Sequence, residues 1–403
     1  MRVFAALLIG LAIAATSSAG AADPPVKVFL LAGQSNMVGR AQPISDGTGP
    51  VDPDLLLYRN GAWQVAQDPL GPDNDKERGV GPGMTFGLGV LSHEPSGTKV
   101  GLIMCARGST AIGAWQRGGG PFDSCRSMAH SAGGTVAGVV FLQGEYESKF
   151  EPKAARWLKG FEVAERDFQK AFGPVPFVLG QIGNINRPYA QQVRDAQAAA
   201  AAEFPAATLV PSIDLALQAD GVHFTADAAK TLGYRYADAW WSLSQEFPSV
   251  NNLSSSVGDP GTVVTLSGNS LDSVTGVTFG GAAATFTIVG PGQVTATVPD
   301  DGVTGPVAVA SPYGTIAGPS FSVQPVVDSF SPASGGTGTK VFVSGKSLTG
   351  ATAATVGGQS AKVIVISPTQ VRVTVPKKAT SGPITITTAG GTAASGNVFT
   401  VVP

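Results

Sequence analysis

An α/β domain with a mostly parallel sheet, followed by two all-β sandwiches, is the architecture predicted by this 403-residue chain. Three observations carry it. Apolar, strand-like runs alternate with helical spacing as far as about Phe247, which implies a parallel sheet with helices on both faces. Beyond Phe247 helix formers thin out, and short β-branched runs bounded by Gly and Pro take over. That second part is a tandem repeat with a constant offset of 77 residues: Pro248 matches Pro325, Gly261 matches Gly338, Gly268 matches Gly345, Leu271 matches Leu348 and Pro299 matches Pro376. The length exceeds one ordinary core. The expected units are residues 23–247, 248–324 and 325–403.

Within the first unit the strands are read at Lys27 to Ala32, Lys99 to Cys105, Thr135 to Leu142, Pro176 to Ile182 and Thr208 to Pro211. Helical spacing is read at Gly83 to Ser92, Pro152 to Phe172, Ala190 to Phe204 and Ala226 to Ser244. In the repeats, Val263 to Leu266, Gln293 to Val298, Lys340 to Val343 and Gln370 to Val375 are strands. The stretches Val51 to Val80 and Gly113 to Ser131 read as loops that would set specificity.

Residues 1–22 have the layout of a secretory signal: Arg2, the apolar run Phe4 to Ala15, then Ala19-Gly20-Ala21. Cleavage near Ala21 or Ala22 and a secreted location, periplasmic or extracellular, are expected. Charged residues are only 13% and the net charge is −2, which gives no footing for a nucleic-acid partner or a polybasic membrane contact. Cys105 and Cys125 close a glycine-rich loop; an oxidising compartment permits a disulfide there, and the spacing alone does not decide it. Two cysteines and three histidines without ligand-like spacing make no zinc site.

Candidate chemistry begins at Gly33-Gln34-Ser35-Asn36. A strand ending in a sharp glycine turn exposes Ser35 at the carboxyl edge of the sheet, where α/β folds build sites. The same tetrapeptide also describes a helix start that Ser35 merely caps. A serine needs a base, and the base needs a third group to fix its tautomer. His223 follows Asp220 by three residues across Gly221, so one tight turn can bring the carboxylate to one ring nitrogen and leave the other aimed outward. An exposed loop with incidental Asp and His fits the isolated spacing as well. Oxyanion donors are available in the Ala106-Arg107-Gly108-Ser109-Thr110 loop and at Gln143-Gly144-Glu145. Trp63, Trp115 and Tyr189 are aromatic groups for a sugar site or for packing.

Taken together, Gly-Gln-Ser-Asn, a Gly-x-Thr loop followed by Trp115, Gln-Gly-Glu and Asp-Gly-Val-His-Phe resemble the SGNH hydrolases. Over roughly Val26 to Trp241 they resemble the sialate O-acetylesterase and acetylxylan esterase group, carbohydrate esterase family six. The repeats resemble IPT/TIG immunoglobulin-like domains. The resemblance implies a flavodoxin-like, three-layer esterase domain that needs no cofactor or metal and takes an acetylated saccharide or polysaccharide. It implies Ser35 as nucleophile, His223 as base and Asp220 as its orienter. The Ser35 and Gly108 amides and the Gln143 side chain would form the oxyanion hole, with Gln34, Asn36, Glu145 and Trp115 toward substrate. Two departures stand out: Gly108-Ser109 where the family usually has Gly-Gly, which leaves the Ser109 N–H as an alternative donor, and Tyr146-Glu147 where Ser-Asp is common. A broad short-chain esterase and a non-catalytic carbohydrate-binding or adhesion protein are the alternatives. The tail domains are expected to be spacers or interaction modules.

Overall fold

The first unit is organised by β1 (Lys27–Gly33), whose residues alternate between two separate cores. Val28, Leu30 and Ala32 pack into one, Phe29 and Leu31 into the other. All five are completely buried, and a strand buried on both faces belongs in the middle of a parallel sheet. Each such Leu or Phe contributes about 1.5–3 kcal/mol of burial free energy, so a charge at Leu30 would break the centre of the domain. The computed structural model describes residues 26–46 and 51–403. The secretory signal read at residues 1–22 lies outside the described residues.

The sheet continues with β2 (Leu55–Arg59), β3 (Ala62–Val65), β4 (Val100–Met104), β5 (Thr135–Leu142), β6 (Phe177–Gly180) and β7 (Ala207–Val210), in the spatial order β3-β2-β4-β1-β5-β6-β7. All pairings are parallel except β2 with β3. The five strands expected from sequence are present; the β2–β3 hairpin corrects the reading of 51–80 as a loop throughout. Its turn is Asn60-Gly61, both at positive φ (53° and 82°), the pairing that type I′ hairpins favour.

After β1 comes a single turn, α1 (Ser35–Val38), followed by α2 (Gly83–His93), α3 (Gly120–Ala132), α4 (Glu151–Ala154), α5 (Trp157–Phe172), α6 (Ala190–Glu203) and α7 (Ala226–Glu246). Helices α2 and α7 cover the Phe29 face, while α3, α5 and α6 cover the Val28 face. Helix α3 is a second correction, to the reading of residues 113–131 as loop. Pro121 in its first turn and a buried stripe of Phe122, Cys125 and Ala129 explain why it forms. The single helix expected over Pro152 to Phe172 is two: Arg156 leaves helical geometry (φ −99°, ψ 0°), and Trp157 then enters the core fully buried. Among the described residues no helix is long and apolar enough to cross a membrane.

The repeats form two eight-stranded all-β modules with the same strand order. Strands Val263–Asn269, Gly276–Phe279, Gln293–Thr297 and Gly305–Ser311 recur 77 residues later as Lys340–Lys346, Ala353–Val356, Gln370–Thr374 and Gly382–Thr388. Each module has its own core, centred on Phe279 and Phe321 in the first and on Phe399 in the second.

Candidate active site

Gly33 ends β1 under two constraints. Its φ is +122°, and an added Cβ would stand 2.0 Å from the Leu142 carbonyl oxygen; only glycine serves there. Gln34 then donates its backbone N–H to that carbonyl at 2.9 Å, and the chain enters α1 at Ser35. Opening a helix, the Ser35 N–H has no carbonyl one turn earlier in the helix to bond. Ser35 is half-buried, at the carboxyl edge of the sheet, whereas Asn36, Met37 and Val38 are buried.

His223 approaches from the loop before α7. Gly221, at φ +66°, lets the chain fold back so that Asp220 Oδ1 accepts the backbone N–H groups of Val222 and His223, each at 2.9 Å. Asp220 Oδ2 lies 2.6 Å from His223 Nδ1, and His223 Nε2 lies 2.9 Å from Ser35 Oγ. Partial burial pushes the Asp220 carboxyl upward, but the two backbone N–H bonds and the bond to the ring outweigh it and hold the group below its ordinary value. The anionic oxygen is thus matched to the ring nitrogen that must carry the proton. Thr225 caps α7 by accepting the Ala228 N–H at 3.3 Å, which fixes the loop's far end.

Beneath this row sits a second, buried one. Asn36 Nδ2 donates to Glu145 Oε1 at 2.7 Å and to the Val222 carbonyl at 3.1 Å, while its Oδ1 accepts the Phe224 N–H at 3.1 Å. Asn36 therefore binds the β1 turn to both neighbours of His223. Burial raises the Glu145 carboxyl above its ordinary value, against the opposing bond from Asn36. Among the described residues its Oε2 has no hydrogen-bond partner. Arg187, which had no part in the sequence reading, donates to the Glu145 backbone carbonyl.

The loop after β4 completes the surroundings. Arg107 N–H bonds the Gly33 carbonyl at 3.0 Å, and a Cβ built on Gly108 would lie 3.9 Å from Ser35 Cβ, so Gly108 faces the serine. Ser109, in the place of the family's second glycine, takes left-handed backbone at φ 58°. A disulfide joins Cys105, just before this loop, to Cys125 on α3, which settles what the spacing left open. A cleft of about 700 Å³ runs beside the loop, lined by Arg40, Asn74, Lys76, Arg107 and Gly108. The larger cavity, about 780 Å³ around Arg126, His130 and Gly134, lies at the opposite, amino-terminal edge of β5 and touches none of these residues.

Several sequence expectations need correction. The Gln143 amide is not free to meet an oxyanion: Nε2 donates to the Thr110 carbonyl (3.1 Å) and to Glu147 Oε2 (2.5 Å), and Oε1 accepts Trp157 Nε1 (2.7 Å). Glu147, part of the departure noted after Glu145, also accepts the Ile112 N–H at 2.7 Å. Trp115 has no exposure, stacks edge-on against Phe141 and donates to Thr110 at 3.3 Å, so it cannot line a sugar site. Gln34 and Asn36, each 4% exposed, and the fully buried Glu145 likewise frame the site from behind instead of touching substrate. Trp63 donates to the Ala132 carbonyl and packs, with Tyr189, against the core.

A parallel α/β sheet bearing a serine, a histidine and an aspartate in hydrogen-bonded series at its carboxyl edge defines the class to which this domain is assigned. Residues 25–242 match the family described as carbohydrate esterase, sialic acid-specific acetylesterase, and the chain belongs to it. Residues 248–321 and 325–401 match the IPT/TIG domain. The chain is 28% identical over 240 residues to a probable carbohydrate esterase of Arabidopsis thaliana, covering 54% of this chain and 92% of that protein. An X-ray structure of an Arabidopsis thaliana protein is similar with 26% identity and a TM-score of 0.50, over 54% of this chain and 99% of that one. A carbohydrate acetylesterase of Xanthomonas citri is similar at 18% identity and TM-score 0.42, over 73% and 80% of the two chains.

Proposed function

We propose that the chain is a secreted serine esterase that removes O-acetyl groups from carbohydrate through an acetyl-Ser35 intermediate. The observation that carries this reading is the series Ser35 Oγ, His223 Nε2, His223 Nδ1, Asp220 Oδ2, with links of 2.9 and 2.6 Å. Ser35 Oγ attacks the acetyl carbonyl as its proton passes to His223 Nε2. The Ser35 and Gly108 N–H groups meet the oxyanion; each such donor is worth about 3–4 kcal/mol in barrier. The tetrahedral intermediate collapses, the bond to the sugar oxygen breaks, and that oxygen takes the proton from His223. A water then gives its proton to His223 and attacks the acyl carbon; acetate leaves and Ser35 Oγ regains its proton. Every proton moved has a named carrier, so the cycle closes on this chain's own residues. The disulfide between Cys105 and Cys125 agrees with an oxidising compartment, and the export signal expected at residues 1–22 supports secretion.

The test is trapping: the protein is quenched during turnover of an aryl acetate, and its peptides are weighed. One acetyl group on the Ser35 peptide, absent from Ser35→Ala, is expected. An unacetylated Ser35 peptide with turnover intact defeats the reading. Acetate release measured over acetylated xylan, pectin and sialic acid then identifies the sugar.

A further inference from the structure

The two tail modules carry the same strands, so each is a control for the other, and they differ sharply on one exposed face. In the first module Thr265, Thr295 and Thr287 lie abreast across three adjacent strands. At the equivalent positions of the second, 77 residues on, stand Phe342, Arg372 and Ile364, again abreast. Their neighbours on the strands, Val341, Val343, Val371 and Val373, are buried in the module core. By strand alternation the first three therefore point outward. Phe342 is 42% and Ile364 38% exposed, and Arg372 lies between them with its buried Nε lacking a partner among the described residues. Two residues along each strand the row continues as Lys340, Thr374 and Lys362, where the first module has Val263, Thr297 and Thr285.

We propose that this face of the second module is a binding site for an acidic polysaccharide. A ring flanked by an aliphatic side chain offers an apolar platform for the C–H face of a sugar. Arg372 beside it can fork two N–H groups onto a carboxylate, and Lys340 and Lys362 add positive charge along the row. No acidic residue occurs in either row, so the charge selects an anionic chain over a neutral one. Contiguous exposed apolar surface marks interaction sites, and the sister module folds with threonines in place of Phe342, Arg372 and Ile364. Tethered to a carbohydrate esterase domain, the site would raise the local concentration of substrate chains.

The test transplants the sister face. Phe342→Thr, Ile364→Thr and Arg372→Thr are made together in the full chain; the first module folds with these residues. Wild type and variant are run through native gels containing polygalacturonate or neutral xylan, with aryl acetate turnover as the control. Wild type should be retarded by polygalacturonate and not by xylan, and the variant should lose that affinity about tenfold or more at unchanged turnover. Absence of retardation in the wild type, or equal retardation of both proteins, overturns the proposal. So does a wild type that sediments as a dimer while the variant is monomeric, which would make the face a self-association surface. Because binding is read apart from turnover, the outcome does not depend on Ser35 chemistry.

Discussion

Asn36 Nδ2 lies 2.7 Å from Glu145 Oε1, and this buried contact links the serine turn to the loop that follows β5, the neighbour of β1. Asn36 also holds the backbone on both sides of His223. The position of the base is thus set by a residue that never faces substrate. Asn36→Ala removes three hydrogen bonds at a net of about 1 kcal/mol each, so the melting temperature should fall. Loosening of the His223 loop should lower kcat about 10–100-fold with KM for an aryl acetate little changed. An equal loss in kcat and stability for Asn36→Asp, which keeps the acceptor, would place the function in the amide N–H donors to Glu145 and the Val222 carbonyl. Steady-state kinetics with thermal melts check this.

Glu145 predicts a pH effect on stability. Its folded-state pKa is raised by burial, so the folded protein holds this proton more tightly than the unfolded chain. The stability it contributes is full below the ordinary carboxylate range and is lost as pH rises through the raised value. Glu145→Gln keeps the acceptor for Asn36 and removes the ionisation. The variant's melting temperature should gain on the parent's as pH rises above that range, with kcat within a few-fold. A difference between the two proteins that does not change with pH would show that Glu145 does not titrate in this way.

Asp220 runs the other way. Its pKa is lowered in the folded state, so its contribution is present above the ordinary aspartate pKa and is lost as pH falls through the lowered one. Asp220→Asn keeps an acceptor for the backbone N–H groups but no anion for the imidazolium. By analogy with other triads kcat should drop about 10⁴-fold, with the fold intact by circular dichroism.

The disulfide couples oxidation to the Gly108 loop. It closes a span of 20 residues, worth about 3 kcal/mol by loop entropy, and it anchors the strand end from which Ala106 to Thr110 depart. Cys125→Ser should lower the melting temperature and also kcat, because Gly108 then loses a fixed approach to Ser35. A variant that melts earlier but turns over unchanged below its melting point would confine the bridge to stability.

What the sequence made legible depended on how locally each feature was encoded. β1 and its neighbours announce themselves by continuous apolar runs, and the tandem modules by a fixed spacing. The turn from Asp220 to His223 is local too: Gly221 reads as permitting it, and takes φ +66° there. The hairpin at Asn60-Gly61 is equally local, since the dipeptide between Leu55–Arg59 and Ala62–Val65 is its signature, yet the surrounding residues 51–80 read as loop. Side-chain direction was out of reach. That Gln143 turns to Trp157, Thr110 and Glu147, and that Trp115 faces inward onto Phe141, is decided by elements distant in sequence. Helix α3 was hidden by the glycines before and after it, and its reason to form is burial against α5 through Phe122 and Phe168.

The most direct test of the central claim is kcat/KM of folded Ser35→Ala on an aryl acetate, measured beside the parent. The nucleophile assignment predicts a loss of about 10⁴-fold or more; turnover close to that of the parent would contradict it.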